Sequence, residues 1–106
     1  MKINILGTEY DYNITTDKED VTLCNKAGYC DSYAKIIAVE SDFNERNPDC
    51  IKDFNSLKKK VIRHGFIHAF LAESGLDDYA SNEQLVDWIA FQFPKLLKAF
   101  QEVEAI

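Results

Sequence analysis

The chain has 106 residues, a net charge of −6 and 46% hydrophobic residues, which fits one compact domain (1–106) with a modest core. The negative charge argues against a nucleic-acid partner, because phosphates need a basic surface. No stretch approaches the roughly 20 apolar residues of a membrane span, and the amino terminus is too short in apolar residues for a secretory signal, so we expect a cytoplasmic protein.

Residues 1–40 are predicted to be rich in β-strand. Apolar and polar side chains alternate over 2–5 and again over 10–14, on either side of a glycine turn, and this pattern is typical of a hairpin. Two further short strands are predicted at 28–31 and 35–39. The last of these is apolar without alternation, which predicts the strand that lies most fully against the helices.

Two long helices are predicted to follow the strands. Asn47 and Pro48 form a helix-start signal, which predicts a helix over 48–74 that ends at the glycine just beyond. Ser81 opens a capping box, which predicts a second helix over 81–104. Proline 94 is expected to kink this helix and not necessarily to end it. Strands followed by helices form an α+β order.

The two histidines of the chain, His64 and His68, lie on the first predicted helix. Apolar residues recur around them at spacings of three and four, which predicts that both histidines project from the face toward the core. Side chains one turn apart on one face are placed as two ligands of a single metal ion must be. The alternative is a pair of imidazoles that pack in the core and find hydrogen-bond partners there.

A second pair, Glu83 and Asp87, shares a face at the start of the second helix. A return of the chain after His68 allows Glu83 to become a third ligand. Asp87, one turn further, can accept a hydrogen bond from the far nitrogen of a ligating histidine and so fix its tautomer. An acidic, solvated helix start is the alternative, but taken with the histidines the pattern favours zinc.

The pattern His64-x-x-x-His68 followed by Asn82-Glu83-x-x-x-Asp87 resembles the gluzincin zinc peptidases, whose motifs are His-Glu-x-x-His and Asn-Glu-x-x-x-Asp. The chain looks like the single-domain minigluzincin or ImmA/IrrE-like proteins of phages and other mobile elements. The resemblance implies a small zincin-like domain, in which an antiparallel or mixed sheet packs on two long helices that carry the metal site. It also implies that His64, His68 and Glu83 bind zinc, supported by Asp87 and Asn82.

The resemblance also implies a binding edge on the sheet, where an extended peptide could pair with a strand. We therefore expect a peptide or protein partner, and neither a membrane nor a nucleic acid. The strand implied for this role consists of Ile36, Ile37, Ala38 and Val39.

One position departs from the family pattern. The glutamate that serves the family as general base is replaced by Gly65, and the loss of such a group costs roughly 10²–10⁴-fold in rate. The sequence therefore favours a zinc-binding, catalytically impaired pseudopeptidase that acts through a partner. A residual zinc-dependent peptidase and an α+β interaction domain without metal are the alternatives.

Overall fold

The structure is a computed structural model, and it describes residues 1–42 and 53–106. The fold is α+β, as predicted, with a four-stranded mixed sheet followed by helices. The expected helix start at Asn47 and Pro48 lies outside the described residues. The elements are β1 (Lys2–Ile5), β2 (Thr8–Thr15), a turn of 3-10 helix (Val21–Leu23), β3 (Gly28–Asp31), β4 (Ile36–Glu40), α1 (Phe54–Glu73), α2 (Asp77–Ala80) and α3 (Glu83–Glu102).

The predicted amino-terminal hairpin is confirmed, since β1 pairs with β2 in antiparallel register. Leu6 and Gly7 form its turn with φ values of 51° and 92°. Two successive positive φ angles give a tight turn whose twist matches that of the flanking strands. The side-chain oxygen of Asn4 accepts a hydrogen bond of 2.8 Å from the Gly7 amide, which closes the turn.

The strand β4 lies inside the sheet, whose order is β1-β2-β4-β3. It pairs in parallel with β2 and in antiparallel register with β3. The implied binding edge is therefore wrong, because both sides of β4 are already hydrogen-bonded. A continuous apolar run fits this central position, where both faces of a strand are covered. The correction applies to Ile36, Ile37, Ala38 and Val39, and the free edges of the described sheet belong to β1 and β3.

Local hydrogen bonds define both ends of the helix α1. The Asp53 side chain caps its first turn by accepting a hydrogen bond from a backbone amide. At the other end Gly75 has a φ of 75°, and the Leu76 amide donates to the carbonyl of Leu71. This is the Schellman pattern that glycine favours just past a helix, and it agrees with the predicted stop.

The helix α1 approaches the sheet closely along the row Val61, Gly65 and Ala69. A Cβ added to Gly65 would lie 3.0 Å from Cγ2 of Ile37. A Cβ added to Gly28 on β3 would lie 2.8 Å from a backbone oxygen of β4 and 3.0 Å from Cγ1 of Val61. Glycine is thus needed at position 28, where the neighbour is backbone, whereas a Cβ at position 65 requires a slight shift of the Ile37 side chain.

The histidines do not lie in this sheet-facing row, contrary to the prediction from periodicity. The side chains of His64 and His68 are 23% and 17% exposed, and both point toward the start of α3. The row that contacts the sheet lies one position further along the helix and consists of small residues. Spacings of three and four fit either row, so periodicity alone could not separate them.

The helix α3 runs unbroken through Pro94 and buries Val86 and Ala90. Much of its remaining surface is open, and Trp88 is 55% exposed. Within the part of the chain that the structure describes, no helix combines the length and the apolar character needed to cross a bilayer.

Candidate metal centre

Three side chains from two helices converge on one point. Nε2 of His64 lies 2.9 Å from Oε2 of Glu83, and Nε2 of His68 lies 2.9 Å from Oε1 of the same carboxylate. The two Nε2 atoms are 3.0 Å apart. The structure thus brings together the three residues that the sequence named, in a group able to hold a metal ion.

The second nitrogen of His64 is held by Asp87. Its Nδ1 donates to Oδ1 of Asp87 at 3.2 Å, and Nζ of Lys60 donates to the same oxygen at 2.8 Å. The hydrogen bond from Lys60 is the largest cause that lowers the pKa of Asp87 below its ordinary value, and His64 adds to it. Asp87 is therefore held as a carboxylate shared between a lysine and a histidine.

The second nitrogen of His68 is held by the backbone. Its Nδ1 donates to the carbonyl oxygen of Ala80 at 2.6 Å, at the end of the short helix α2. Residue patterns cannot signal such a partner, because every residue carries a carbonyl. The sequence predicted only a connection here, so this contact was missed.

These outer contacts decide where the ring protons lie. A carbonyl and a carboxylate only accept hydrogen bonds, so Nδ1 carries the proton in both His64 and His68. In the neutral rings both Nε2 atoms then present lone pairs, and they face each other and the Glu83 carboxylate. Such a group of acceptors repels itself unless a cation lies between its members, either a metal ion or an additional proton.

Asn82 caps the helix that carries Glu83. Its side-chain oxygen accepts a 3.0 Å hydrogen bond from the Leu85 amide, which makes it the cap of α3. The capping box predicted at Ser81 is therefore wrong by one residue. By fixing the first turn, Asn82 positions Glu83, whose side chain is 70% exposed and depends on the helix start for its direction.

A cleft of about 470 Å³ adjoins the three converging side chains. One wall is the edge strand β3 with the residues just before it, and the other walls come from α1 and the start of α3. Gly65, a buried residue of α1, lines the floor of this cleft. The lining residues are Lys26, Ala27, Gly28, Tyr29, Cys30, Lys60, Val61, His64, Gly65, His68, Glu83 and Asp87.

Among the described residues, the carboxylates that line the cleft are those of Glu83 and Asp87. Glu73, further along α1, accepts hydrogen bonds from Lys35 and Tyr10 at 2.8 and 2.9 Å. These bonds, with the one from Lys35 the largest cause, lower the pKa of Glu73 to about 2. Glu73 is thus part of a separate contact between α1 and the sheet.

Comparison with known proteins gives no relative on which to rest a function. No protein-family model matches the chain, and no curated protein or solved structure matches it. The likeness to the gluzincin motifs therefore stays a hypothesis, carried by the histidines, Glu83 and Asp87.

Proposed function

We propose that this chain is a zinc-binding protein of zincin-like design that binds a peptide or protein partner beside its metal and does not cleave it efficiently. The observation that carries the proposal is the meeting of His64, His68 and Glu83, whose donor atoms lie 2.9–3.0 Å apart. The outer nitrogen of each histidine is anchored, which is typical of ligating histidines.

The donor set supports zinc. Two imidazole nitrogens and one carboxylate, with a further position left for another ligand, suit Zn²⁺ in its open type of site. Ligand atoms around a tetrahedral Zn²⁺ lie roughly 3.3 Å apart, given bonds of about 2.0–2.1 Å. The distances in the group are shorter by a few tenths of an ångström, so small side-chain rotations would admit the ion.

The absence of a carboxylate at Gly65 supports binding over hydrolysis. A bound Zn²⁺ would supply Lewis acidity toward an oxygen of the ligand, but hydrolysis also needs a group that accepts and returns a proton. Glu83 faces the histidines, and Asp87 is shared by Lys60 and His64. Neither carboxylate of the cleft is left for this role.

The strand β3 supports a peptide or protein as the partner. It has a free edge in the described sheet, and the same strand forms a wall of the cleft. An extended segment could add to that edge through main-chain hydrogen bonds and reach the metal position with one of its groups. This edge replaces the one that the sequence assigned to β4.

The test is incubation of the zinc-loaded protein with a library of short peptides. Affinity capture of the protein measures which peptides it retains, and mass spectrometry of the supernatant measures whether peptides are cleaved. We expect retention of a subset of peptides in intact form, and loss of retention in His68→Ala. Rapid appearance of cleavage fragments that depends on zinc would overturn the binding proposal in favour of a peptidase. Equal retention of peptides by His68→Ala would show that peptide binding does not depend on the metal and would overturn the proposed binding beside it.

A further inference from the structure

The cleft beside the metal position has an unusual balance of charge for a site that binds a divalent cation. Its charged lining residues are two lysines, Lys26 and Lys60, and two carboxylates, Glu83 and Asp87. These four charges cancel. A divalent ion bound there would keep both of its positive charges uncompensated by the cleft, since the histidine ligands are neutral.

Lys60 is the residue that produces this balance at the centre itself. Its Nζ lies 2.8 Å from Oδ1 of Asp87, the same atom that accepts from His64. The lysine therefore neutralises the carboxylate that stands behind a metal ligand and draws electron density away from that ligand. Its side chain is only 24% exposed, so solvent screens its charge less than that of a surface lysine.

Lys26 contributes at the β3 side of the same cleft. Its Nζ lies 5.9 Å from the centre of the Tyr29 ring, which also lines the cleft. A cation held over an aromatic face keeps its charge while its position is restricted. A second lysine thus borders the cleft just before β3, in addition to Lys60 on α1.

We propose that Lys60 is a specificity-determining residue, which makes the loaded centre select an anionic ligand, of the carboxylate class, from the cleft. The inference rests on the proposed metal function. The ligand would be a free carboxyl terminus or an acidic side chain of a peptide, whose negative charge offsets the positive charge of the ion that the cleft leaves uncompensated. A neutral carboxamide of the same shape gains none of this attraction.

The experiment uses the full chain loaded with Co²⁺, whose visible spectrum reports on the metal environment. The probes are N-acetyl-alanyl-alanine with a free carboxylate and the same dipeptide with a terminal carboxamide. We expect the carboxylate to bind about fivefold or more tightly than the carboxamide, with a spectral change on binding. Lys60→Met is expected to bring the two affinities close together. Lys60→Arg, which keeps the positive charge, is expected to keep the preference for the carboxylate.

Lys59→Met is the matched control, since it removes the same charge from an exposed neighbour. It is expected to keep the preference for the carboxylate. Equal affinities for both probes in the wild type, or an equal loss of preference in Lys59→Met and Lys60→Met, would overturn the inference.

Metal titration of each variant separates the two levels of the proposal. If wild type binds no Co²⁺ or Zn²⁺, the proposed function fails and the inference fails with it. If the metal binds stoichiometrically and the carboxylate preference is missing, the inference alone fails. A merely structural role for Lys60 would lower the stability of Lys60→Met and leave the ratio of the two probe affinities unchanged.

Discussion

His64 and His68 face each other through their Nε2 atoms at 3.0 Å, while their Nδ1 atoms donate to Asp87 and to the Ala80 carbonyl. Two neutral imidazoles held in this way present lone pairs to each other. A cation between the two Nε2 atoms would remove the repulsion between these lone pairs. The Glu83 carboxylate would be its third neighbour, since its oxygens lie 2.9 Å from each Nε2 atom.

Asp87→Asn is expected to weaken metal binding about 10–100-fold, because the carboxylate that orients His64 and raises its basicity is lost. Isothermal titration with Zn²⁺ measures the effect. Asp78→Asn, on the exposed helix α2, removes the same charge and is expected to leave the affinity unchanged. Unchanged affinity in Asp87→Asn would show that this carboxylate does not support the metal site.

Gly65→Glu is expected to create peptide cleavage, or to raise it by about 10²-fold or more, because it places a proton-accepting carboxylate on the cleft floor. The new Cβ lies 3.0 Å from Cγ2 of Ile37, so the isoleucine must shift slightly. The gain of about 1 kcal/mol in helix propensity on leaving glycine offsets this strain in part. A fluorogenic peptide assay measures the rate.

Gly65→Gln is the matched control for this gain of activity, since it has the same size but no basic group. It is expected to bind zinc and to remain inert. If Gly65→Glu folds, binds zinc and is as inert as Gly65→Gln, the missing base is not the only defect of the chain as a peptidase.

Gly28→Ala is expected to lower the free energy of unfolding by about 2 kcal/mol, as overpacking does in tight interfaces. The added methyl would meet a backbone oxygen of β4 at 2.8 Å and Val61 at 3.0 Å, and the backbone cannot give way cheaply. Urea denaturation measures the change. Without a clash the same substitution would stabilise the fold by about 0.4–1 kcal/mol through the unfolded chain, so a gain would contradict the close approach of α1 to β3.

Glu73 is expected to make the stability depend on acid pH. Hydrogen bonds from Lys35, Thr8 and Tyr10 lower its pKa from 4.5 to about 2. The depressed value means that Glu73 contributes fully above pH 4.5 and that its contribution is lost as the pH falls from 4.5 toward 2. Thermal melts of wild type are expected to show Tm falling over this range.

Glu73→Gln is expected to lower Tm at neutral pH and to flatten the dependence between pH 4.5 and 2. Glu102→Gln, exposed at the end of α3, serves as the control and is expected to melt like wild type. A Glu73→Gln profile parallel to that of wild type would show that other carboxylates cause the acid sensitivity.

Local chemistry in the sequence predicted much of the fold. Alternation over residues 2–5 and 10–14 marked the first hairpin, and Gly75 marked the end of α1. Strand order was not predictable in the same way, because pairing between β2 and β4 joins distant segments. The continuous apolar run of β4 did carry the correct signal, since it is typical of a strand covered on both faces.

The candidate site was predictable where side-chain type sets the chemistry. The histidine pair, Glu83 and Asp87 are distinctive residues at helical spacing, and the structure brings all of them together. The Ala80 carbonyl carried no residue signal. The supporting role implied for Asn82 stays a prediction, since its side chain is seen as the cap of α3.

The most direct test of the central claim is the metal content of the protein after exposure to Zn²⁺ and removal of free ions, measured by inductively coupled plasma mass spectrometry. We expect one Zn²⁺ per wild-type chain and far less than one in His64→Ala and in Glu83→Ala, with circular dichroism confirming that both variants stay folded. A folded wild-type chain that retains no divalent metal, or variants that retain as much as wild type, would contradict the account and leave a proton as the cation between the histidines.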